Sequence, residues 1–528
     1  MEPILTPAEM AEADRRTIAE GTAFETLVGR AGRAVARAVL DELGGAYGRR
    51  VVLACGTGNN GADGRVAADA LSARGVRCTV LDVAGGFDRA VAERAIRRAD
   101  ALVDAMYGTG FRGALEGDAA WFAERTATVA VPVVAIDIPS GIDGTTGAAA
   151  GPVVHATRTV TFAAWKPGLL AELGRTCAGA VSVVDIGIDL GPTAADPQAA
   201  LVTGADVAAW WPTRDADAHK WSAGPLLVVG GSPGMQGAPI LAAAAALRAG
   251  SGIVWAATPT TDPEPRRDEG TGAPLELQSS VTGTGAGADA GVPFGVEVVR
   301  RPLPSAPDGP SAGSLDDAGV DALLAAAGRF GALVVGPGLG TAPSVGPAVR
   351  RLIAECERPL LLDADALTAL AGDPAPLRAR AEAGGAPVLL TPHEGEFARL
   401  DAPVGPDRLA AARRLAAATG ATVLLKGPTT VVADPQGRVL VADTGGPWLA
   451  TAGTGDVLSG IAGSLLAAGL PPIRAGAAAA WLHGGAADLA GHTCLVAGDL
   501  VAALAEAVRL LTDRRVPSRA PRTDDPTP

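Results

Sequence analysis

Short, continuous apolar runs alternate along the chain with longer segments whose apolar positions recur every three to four residues. The first run, Val51–Cys55, ends in a glycine turn, and a helical pattern follows at Gly64–Arg74. Further strands are predicted at Val76–Leu81, Ala101–Asp104, Val131–Ile136, Thr159–Ala163 and Val181–Val184. Strands that are apolar throughout and alternate with helices are typical of a parallel sheet between two helical layers. A three-layer α/β domain is therefore predicted over residues 1–205.

A second alternating series begins near Asp206. Its strands are predicted at Leu226–Gly230, Gly252–Thr258, Ala332–Gly336, Pro359–Asp363, Pro387–Thr391 and Ala421–Lys426, with additions at Thr430–Ala433 and Arg438–Ala442. After the turn at Gly453–Asp456 only helical patterns follow, to about Leu511. This series predicts a second three-layer α/β domain over 206–512. The linker is placed at 191–200, a flexible surface insertion rich in Gly, Thr, Asp and Pro at 262–291, and a disordered tail at 513–528.

Composition limits the partners of this 528-residue chain. A net charge of −13 and a pI near 5.0 argue against nucleic acid and against anionic membranes, since phosphate would be repelled. The first residues lack the basic and apolar segments of a signal peptide. The five cysteines are far apart, which predicts buried thiols in a reducing cytoplasm. Small-molecule substrates are therefore expected, and apolar helix faces, where exposed, would favour a homo-oligomer.

The 44 basic residues include only three lysines, Lys166, Lys220 and Lys426, and each falls in a glycine-containing motif. A lysine that persists in an arginine-biased chain can serve as a compact point charge, for example on a phosphate. Chance is the competing explanation. The motifs favour a functional role for at least Lys426.

The first glycine turn, Gly56-x-Gly58-x-x-Gly61, has the spacing of a Rossmann-like dinucleotide loop, but it is also unusually polar. Asn59, Asn60 and Asp63 project amide and carboxylate oxygens where such a loop keeps small residues. Asp104 and Asp137 follow two further strands, and proline stiffens the turn that presents Ser140. Strand ends of a parallel sheet share one edge, so these hard oxygen ligands are predicted to converge and to suit a cation.

Four motifs of the first 205 residues resemble, in order, those of the NAD(P)H-hydrate epimerase family. They are Asn59-Asn-Gly-Ala-Asp-Gly64, Asp104-Ala-Met-Tyr-Gly-Thr-Gly110, Ile136-Asp-Ile-Pro-Ser-Gly141 and Thr161-Phe-Ala-Ala-Trp-Lys-Pro-Gly168. The resemblance implies interconversion of the R and S epimers at C6 of hydrated NADH or NADPH. One departure is Ala62, where the family has a second glycine.

The resemblance also implies site residues. It places K⁺ among Asn60, Asp104 and Ser140. It places the hydrated dinucleotide against Asn59, Asn60, Gly61, Ala62, Asp63, Gly108, Thr109, Gly110, Phe111, Arg112, Gly113, Ala114 and Asp137. We select Asp137 as the acid–base residue, because epimerisation requires a proton shuttle at the hydrated ring.

The second glycine turn, Gly453-Thr-Gly455-Asp456, precedes a long apolar helix. Glycine amides at a helix N-terminus form an anion hole, and the aspartate beside them can take a proton from a substrate hydroxyl. This arrangement resembles the ribokinase-like superfamily, which transfers phosphoryl groups to alcohols. The second domain is accordingly predicted to be ribokinase-like.

Further motifs resemble one branch of that superfamily, the NAD(P)H-hydrate dehydratases, over about 210–510. They include the segments 219–220, 230–241, 336–340, 391–396 and 450–456. The resemblance implies that Ala238, Gly338, Gly340, His393 and Asp456 contact the hydrated dinucleotide. It implies that ADP is bound by Lys426, Gly427, Pro428, Thr429, Thr430 and Gly455. His393 is expected to donate a hydrogen bond to substrate, while His483 and His492 are placed within helices as structural residues.

A reaction follows from this chemistry. A phosphoryl group from the nucleotide is placed on the C6 hydroxyl of the S hydrate, and loss of phosphate restores NAD(P)H. Asp456 removes the hydroxyl proton, Lys426 offsets the charge of the nucleotide, and Mg²⁺ is expected because phosphoryl transfer needs charge neutralisation.

Three other interpretations remain open from the sequence. A ribokinase-like kinase of a small hydroxylated metabolite explains the second turn but gives residues 1–205 no role. An NAD-dependent oxidoreductase that uses Gly56–Gly61 and Asp82 leaves Asn59, Asn60 and Ser140 unexplained. In the third interpretation one half serves only for binding or oligomerisation.

Overall fold

The computed structural model describes residues 1–191, 196–214, 217–261 and 297–513. The predicted insertion at 262–291 lies outside the described residues, as does the predicted tail apart from Asp513. Contacts between Cα atoms divide the chain into two compact units, 1–201 with 405–408, and 202–404 with 409–528. Each unit is an α/β structure built around a largely parallel sheet.

The first unit has a six-stranded parallel sheet in the order β3-β2-β4-β5-β6-β7. Its strands are β2 (Arg50–Cys55), β3 (Arg77–Asp82), β4 (Ala101–Ala105), β5 (Val133–Ile136), β6 (Arg158–Phe162) and β7 (Ala180–Val184). Its helices are α1 (Pro7–Ala19), α2 (Phe24–Leu43), α3 (Asn59–Ser72), α4 (Arg89–Ile96), α5 (Gly117–Thr126), α6 (Pro167–Leu170) and α7 (Glu172–Ala178). Every strand predicted from an apolar run is present, with ends shifted by up to two residues.

Two apolar clusters cover the two faces of this sheet. Residues of α2 and α3, such as Val35 and Leu71, pack with Val51 and Leu53 on one face. On the other face, α4 and α5 supply Ile96 and other side chains. The predicted three layers are therefore confirmed.

The predicted linker at 191–200 is wrong at its end. Ala199–Leu201 form a short strand, β8, which pairs antiparallel with β1 (Glu2–Pro3). The pairing ties the N-terminal segment to the end of the first unit.

The strands of the second unit run in the order β17-β16-β15-β14-β13-β12-β9-β10-β11. They are β9 (Leu226–Val229), β10 (Val254–Thr260), β11 (Val299–Pro304), β12 (Ala332–Val335), β13 (Leu360–Leu362), β14 (Val388–Leu390), β15 (Thr422–Leu425), β16 (Thr430–Ala433) and β17 (Val439–Ala442). β15, β16 and β17 pair antiparallel and the other ladders are parallel. The antiparallel additions at the end of the sheet agree with the sequence.

The helices of the second unit are α8 (Gly204–Trp210), α9 (Gly237–Arg248), α10 (Asp317–Ala327), α11 (Val345–Glu355), α12 (Asp365–Thr368), α13 (Ala375–Glu382), α14 (Glu394–Leu400), α15 (Arg408–Thr419), α16 (Thr454–Ala467), α17 (Pro472–Ala490) and α18 (Ala497–Thr512). Among the helices of the described residues, none combines the length and apolar content that a membrane span requires.

Two smaller predictions are corrected. His492 lies beyond the end of α17, where Gly491 adopts a φ of 95°, and its ring lies 5.5 Å from that of Trp448. Cys494 is exposed and Cys78 is only partly buried, whereas Cys55, Cys177 and Cys356 are buried as predicted.

Candidate active sites

The helix that follows the first glycine turn, α3, begins earlier than predicted. The helix begins at Asn59, after Gly58 in an extended conformation, and not at Gly64. Asn59, Asn60 and Asp63 therefore occupy the first turns of a helix at the carboxyl end of β2. A β-carbon at Gly61 would overlap the carbonyl oxygen of Gly56, so close packing requires a glycine there.

Asp137, directly after β5, is held in a strained conformation. Its φ is 67°, which is rare for a residue with a β-carbon and is found at functional sites. Its Oδ1 lies 2.8 Å from Nζ of Lys166, and its Oδ2 accepts a hydrogen bond of 3.2 Å from the Thr109 amide. Burial opposes ionisation, but the Lys166 ammonium and these hydrogen bonds outweigh it and hold the pKa of Asp137 below its usual range.

Lys166, the partner of Asp137, is one of the three lysines that the sequence analysis noted, and it was assigned no role there. Its side chain is only 2% exposed. Its Nζ lies 2.8 Å from Asp137, 2.7 Å from Thr161 Oγ1 and 2.9 Å from the carbonyl oxygen of Phe162. Three acceptors use all three donors of an ammonium group, so Lys166 is fixed in place.

The residues predicted to bind a cation lie together. Asp104 is fully buried, and its two carboxylate oxygens accept hydrogen bonds of 2.7 Å from the hydroxyl and the amide of Ser140. Asn60 donates through Nδ2 to the carbonyl oxygen of Ile136, at 2.8 Å, which leaves its Oδ1 as an acceptor. Burial raises the pKa of Asp104 to about 6, although the hydrogen bonds from Ser140 oppose this shift.

A cavity of about 680 Å³ opens beside Asp137. The predicted residues that line it are Asn59, Asn60, Asp63, Gly108, Thr109, Gly110, Phe111, Arg112 and Asp137. Gly61, Ala62, Gly113 and Ala114 are described but are not among its lining residues. Asp14 of α1 lines the cavity as well, and no sequence motif marked it.

Asp63 brings a second acid to this cavity. It is 6% exposed, and burial together with the charges of Asp137 and Asp14 raises its pKa to about 8. Asp63 is therefore protonated at neutral pH, while the neighbouring Asp137 is ionised. Two carboxyl groups with opposite pKa shifts are typical of an acid–base site.

In the second unit, Gly453 adopts a φ of 88° and starts α16 at Thr454, as the glycine turn predicts. Asp456 lies in the first turn of this helix. Its pKa is raised to about 7 by burial and by the charge of Asp363, against the effect of Lys426. A carboxyl group that titrates near neutral pH can accept a proton from a substrate.

Lys426 is held by carboxylates from neighbouring strand ends. Its Nζ lies 2.9 Å from Asp363 Oδ1, just after β13, and 3.6 Å from Glu396 Oε2 on α14. Burial would lower the pKa of Lys426, but these acids hold it above its usual value, so the ammonium stays charged. Ser459 of α16 donates to the other oxygen of Asp363, at 2.7 Å. The sequence motifs did not identify Asp363 or Ser459.

His393 caps α14. Its Nδ1 accepts the amides of Gly395 and Glu396, at 3.0 and 3.2 Å, and its side chain is 56% exposed. Its Nε2 faces away from these amides, 3.5 Å from Glu396 Oε1. His483, by contrast, lies within α17 as predicted; burial lowers its pKa to about 4, so it is neutral.

Hydrogen bonds join the two glycine-rich loops of the second unit that are predicted to contact substrate. The amides of Gly231 and Ser232 donate to the carbonyl oxygen of Gly338, at 2.9 and 2.8 Å. The Gly340 amide donates to Asp365 Oδ2, at 2.7 Å. A β-carbon at Gly338 would contact that of Ala238 at 3.4 Å, so these two predicted residues are neighbours.

Each α/β unit has a cluster of titratable residues at its strand ends that suits acid–base chemistry, so the fold is that of an enzyme with two candidate active sites. Residues 25–91 and 86–168 match the family described as YjeF-related protein N-terminus, and residues 301–509 match the family described as NAD(P)H-hydrate dehydratase. A bifunctional NAD(P)H-hydrate repair enzyme of Salinibacter ruber is 40% identical over 94% of this chain and 95% of its own. That of Mycobacterium tuberculosis H37Rv is 39% identical over 84% of each chain.

Among solved structures, an ADP/ATP-dependent NAD(P)H-hydrate dehydratase from Bacillus subtilis is 29% identical. The match covers 58% of this chain and 97% of that one, with a TM-score of 0.45. The whole-length relatives establish that the chain belongs to the bifunctional NAD(P)H-hydrate repair enzymes. It is an enzyme with an epimerase and a dehydratase activity.

The raised pKa of Asp63 predicts a pH-dependent stability. The folded protein retains a proton up to about pH 8 that the unfolded chain releases near pH 4, so stability falls as pH rises through this window. Asp63→Asn carries no charge, so its melting temperature in calorimetry without K⁺ should exceed that of the wild type increasingly from pH 4.5 to 8.5. A pKa that rises from 3.8 to about 8 on folding corresponds to roughly 5 kcal/mol, so we expect a gain of at least about 4 °C at pH 8.5.

Asp69→Asn is the matched control, because Asp69 lies on the exposed side of the same helix. Its melting temperature should follow that of the wild type across the same pH range. A constant difference between Asp63→Asn and the wild type would contradict the raised pKa.

Proposed function

We propose that residues 1–205 form the epimerase domain and residues 206–512 the dehydratase domain, each with its own active site. The observation that carries this proposal is the pairing, in each unit, of a lysine with an aspartate at a strand end. The small-metabolite kinase gives no role to the first of these pairs. NADH hydrate and NADPH hydrate are the proposed substrates, and the cytoplasm is the proposed compartment. A homo-oligomer stays a prediction.

Asp137 is the proposed acid–base residue of the epimerase. Its carboxylate lines a cavity whose volume of about 680 Å³ is in the range of small-molecule and cofactor sites. The hydrate would lie against Asn59–Asp63 and Gly108–Ala114, with the aromatic pair Tyr107 and Phe111, 4.9 Å apart, beside it.

The proposed K⁺ site consists of Asn60, Asp104 and Ser140. Within the described residues no basic side chain pairs with Asp104, so a buried carboxylate has no cationic partner. Carboxylate, amide and hydroxyl oxygens with one negative charge in total suit a monovalent cation. Bound K⁺ would neutralise Asp104 and preserve the contact in which the Tyr107 amide donates a hydrogen bond to the Ser140 hydroxyl.

In the dehydratase domain, Asp456 is the proposed base that removes the proton of the C6 hydroxyl. The amides of Gly453–Gly455 would stabilise the transferred charge, and Lys426–Thr430 with Gly455 would bind ADP. Ala238, Gly338, Gly340 and His393 would contact the hydrate. A β-carbon at Gly455 would lie 3.7 Å from Lys426 Nζ, so the lysine reaches the amides that would hold phosphate.

Mg²⁺ fits the charges around Lys426. Asp363, Glu396 and Asp456 place three carboxyl groups near one ammonium group, and the charge of Asp365 acts on Asp456 as well. This surplus of negative charge favours a divalent cation between the acids and the nucleotide phosphates, where it supplies charge neutralisation for phosphoryl transfer.

The two activities should separate by mutation. Asp456→Asn removes the base, so dehydration of the S hydrate with ADP and Mg²⁺, followed at 340 nm, should fall by roughly 10²–10⁴-fold. Epimerisation of the R hydrate, followed by chromatography, should be unchanged. Wild-type dehydration should rise with pH through about 7 as Asp456 ionises.

Asp137→Asn should show the reverse pattern, so each variant is the control for the other. Loss of both activities in either variant, with the fold retained, would contradict two independent sites. Loss of neither would remove these aspartates from the chemistry.

Epimerisation should depend on K⁺ through Ser140. Ser140→Ala removes one oxygen ligand, so the K⁺ concentration for half-maximal epimerisation should rise by at least about 10-fold. Dehydration of the S hydrate by the same variant is the internal control and should not change. Equal epimerisation in K⁺ and in a bulky organic cation would rule out the proposed site.

A further inference from the structure

We propose that Asp14 is a second acid–base residue of the epimerase site and acts on the hydrated ring together with Asp137. The inference rests on the proposed epimerase function of the first unit. It assigns chemistry to a helix that the motifs of the sequence left without any.

One face of α1 forms a wall of the cavity. Met10, Asp14 and Ile18 are spaced four residues apart, so they share one side of the helix, and all three line the cavity. Glu12 of the same helix is 61% exposed and pairs with Arg15, away from the cavity. Asp14 therefore approaches the substrate space from α1, whereas Asp137 approaches it from the end of β5.

The carboxylate of Asp14 does not stabilise the fold through a polar contact within the described residues. Among the described residues it accepts no hydrogen bond and forms no ion pair, and the same is true of Asp63, which is 94% buried at the cavity. Both carboxyl groups line the cavity without a partner in the described part of the chain, so a bound ligand can use them. Asp137, in contrast, has Lys166, Thr109 and Thr161 as fixed partners.

Burial and the charged groups around Asp14 give it a pKa shift opposite in direction to that of Asp137. These groups are Asp63 on α3, Asp137 after β5, Lys166 after β6, and Arg112, which also lines the cavity. Burial and the charge of Asp137 raise the pKa of Asp14, while Lys166 lowers it. The pKa of Asp137 is shifted the other way. An acid and a base therefore reach one cavity from different elements.

Asp14 suits the proton-transfer role better than Asp63. Asp14 is half-buried, so water can return its proton after each turnover. Asp63 is almost fully buried on the first turns of α3 and holds its proton up to about pH 8. Asp63 is therefore expected to bind substrate as a neutral donor.

The reaction needs only water as co-reactant. The Asp14 carboxylic acid protonates the C6 hydroxyl, the C6–O bond breaks, and the lone pair of N1 forms an N1=C6 iminium with release of water. A water molecule on the other face adds to C6 and gives its proton to the Asp137 carboxylate. The inverted alcohol results, and solvent carries the proton from Asp137 back to Asp14. The reverse sequence epimerises in the other direction.

The test uses the full-length chain without ADP, with R hydrate as substrate and chromatographic separation of the R and S epimers. Asp14→Asn should lower kcat by roughly 10²–10⁴-fold and change KM by less than about threefold. Loss of the Asp14 proton as pH rises should lower the kcat of the wild type, and this decline should be absent from the residual activity of Asp14→Asn. Dehydration of S hydrate with ADP should be unchanged, which shows that the second unit is intact, and an unchanged KM for epimerisation shows that the first unit still binds substrate.

Two variants complete the test. Glu12→Gln makes the same change of charge on the exposed side of α1 and should epimerise like the wild type. Asp14→Glu keeps the carboxyl group and should recover part of the lost kcat. A kcat of Asp14→Asn within about threefold of the wild type, or a loss confined to KM, would overturn the inference. If the wild type and Glu12→Gln also fail to epimerise, the proposed function fails and the inference fails with it.

Discussion

Each active site depends on a lysine that offsets an aspartate at the carboxyl end of a parallel strand. Lys166 holds Asp137 in the first unit, and Lys426 holds Asp363 in the second, at 2.8 and 2.9 Å. A buried charge without a partner costs several kcal/mol, so each lysine offsets a cost that its aspartate would otherwise carry. These pairs make it possible to place further acids nearby.

The further acids give both sites groups that titrate near neutral pH. Asp104 and Asp63 have pKa values raised to about 6 and about 8, and Asp456 to about 7. In each unit one aspartate is held by a lysine while a neighbour keeps its proton at or near neutral pH. Such a difference lets one site donate and accept protons without a change of pH. Epimerisation and hydroxyl activation both require such an exchange.

The sequence could predict what local patterns encode. Apolar runs located the strands, and the glycines located the turns at Gly56 and Gly453, because each signal lies within a few neighbouring residues. The start of α3 was placed too late because Asn59 and Asn60 have low helix propensity, whereas the extended Gly58 allows the helix to begin there.

The convergence of strand-end residues at one edge of the sheet could be predicted, but the particular ion pairs and hydrogen bonds between distant segments could not. Lys166 meets Asp137 only because β5 and β6 are adjacent, and Ser459 meets Asp363 across nearly 100 residues. Asp14 had no motif at all, since only the packing of α1 brings it to the cavity. The resemblance to known families indicated which residues form each site. The ion pairs between them, and their effect on pKa, could be seen only in the structure.

The central claim is that one chain restores both epimers of a hydrated cofactor. Its most direct test is the absorbance at 340 nm of a mixture of R and S NADH hydrate incubated with the protein, K⁺, Mg²⁺ and ADP. Complete recovery of NADH, faster than spontaneous epimerisation allows, is the predicted result. Rapid recovery of the S fraction alone would mean that the first unit does not epimerise, and no recovery with ADP or ATP would contradict the whole account.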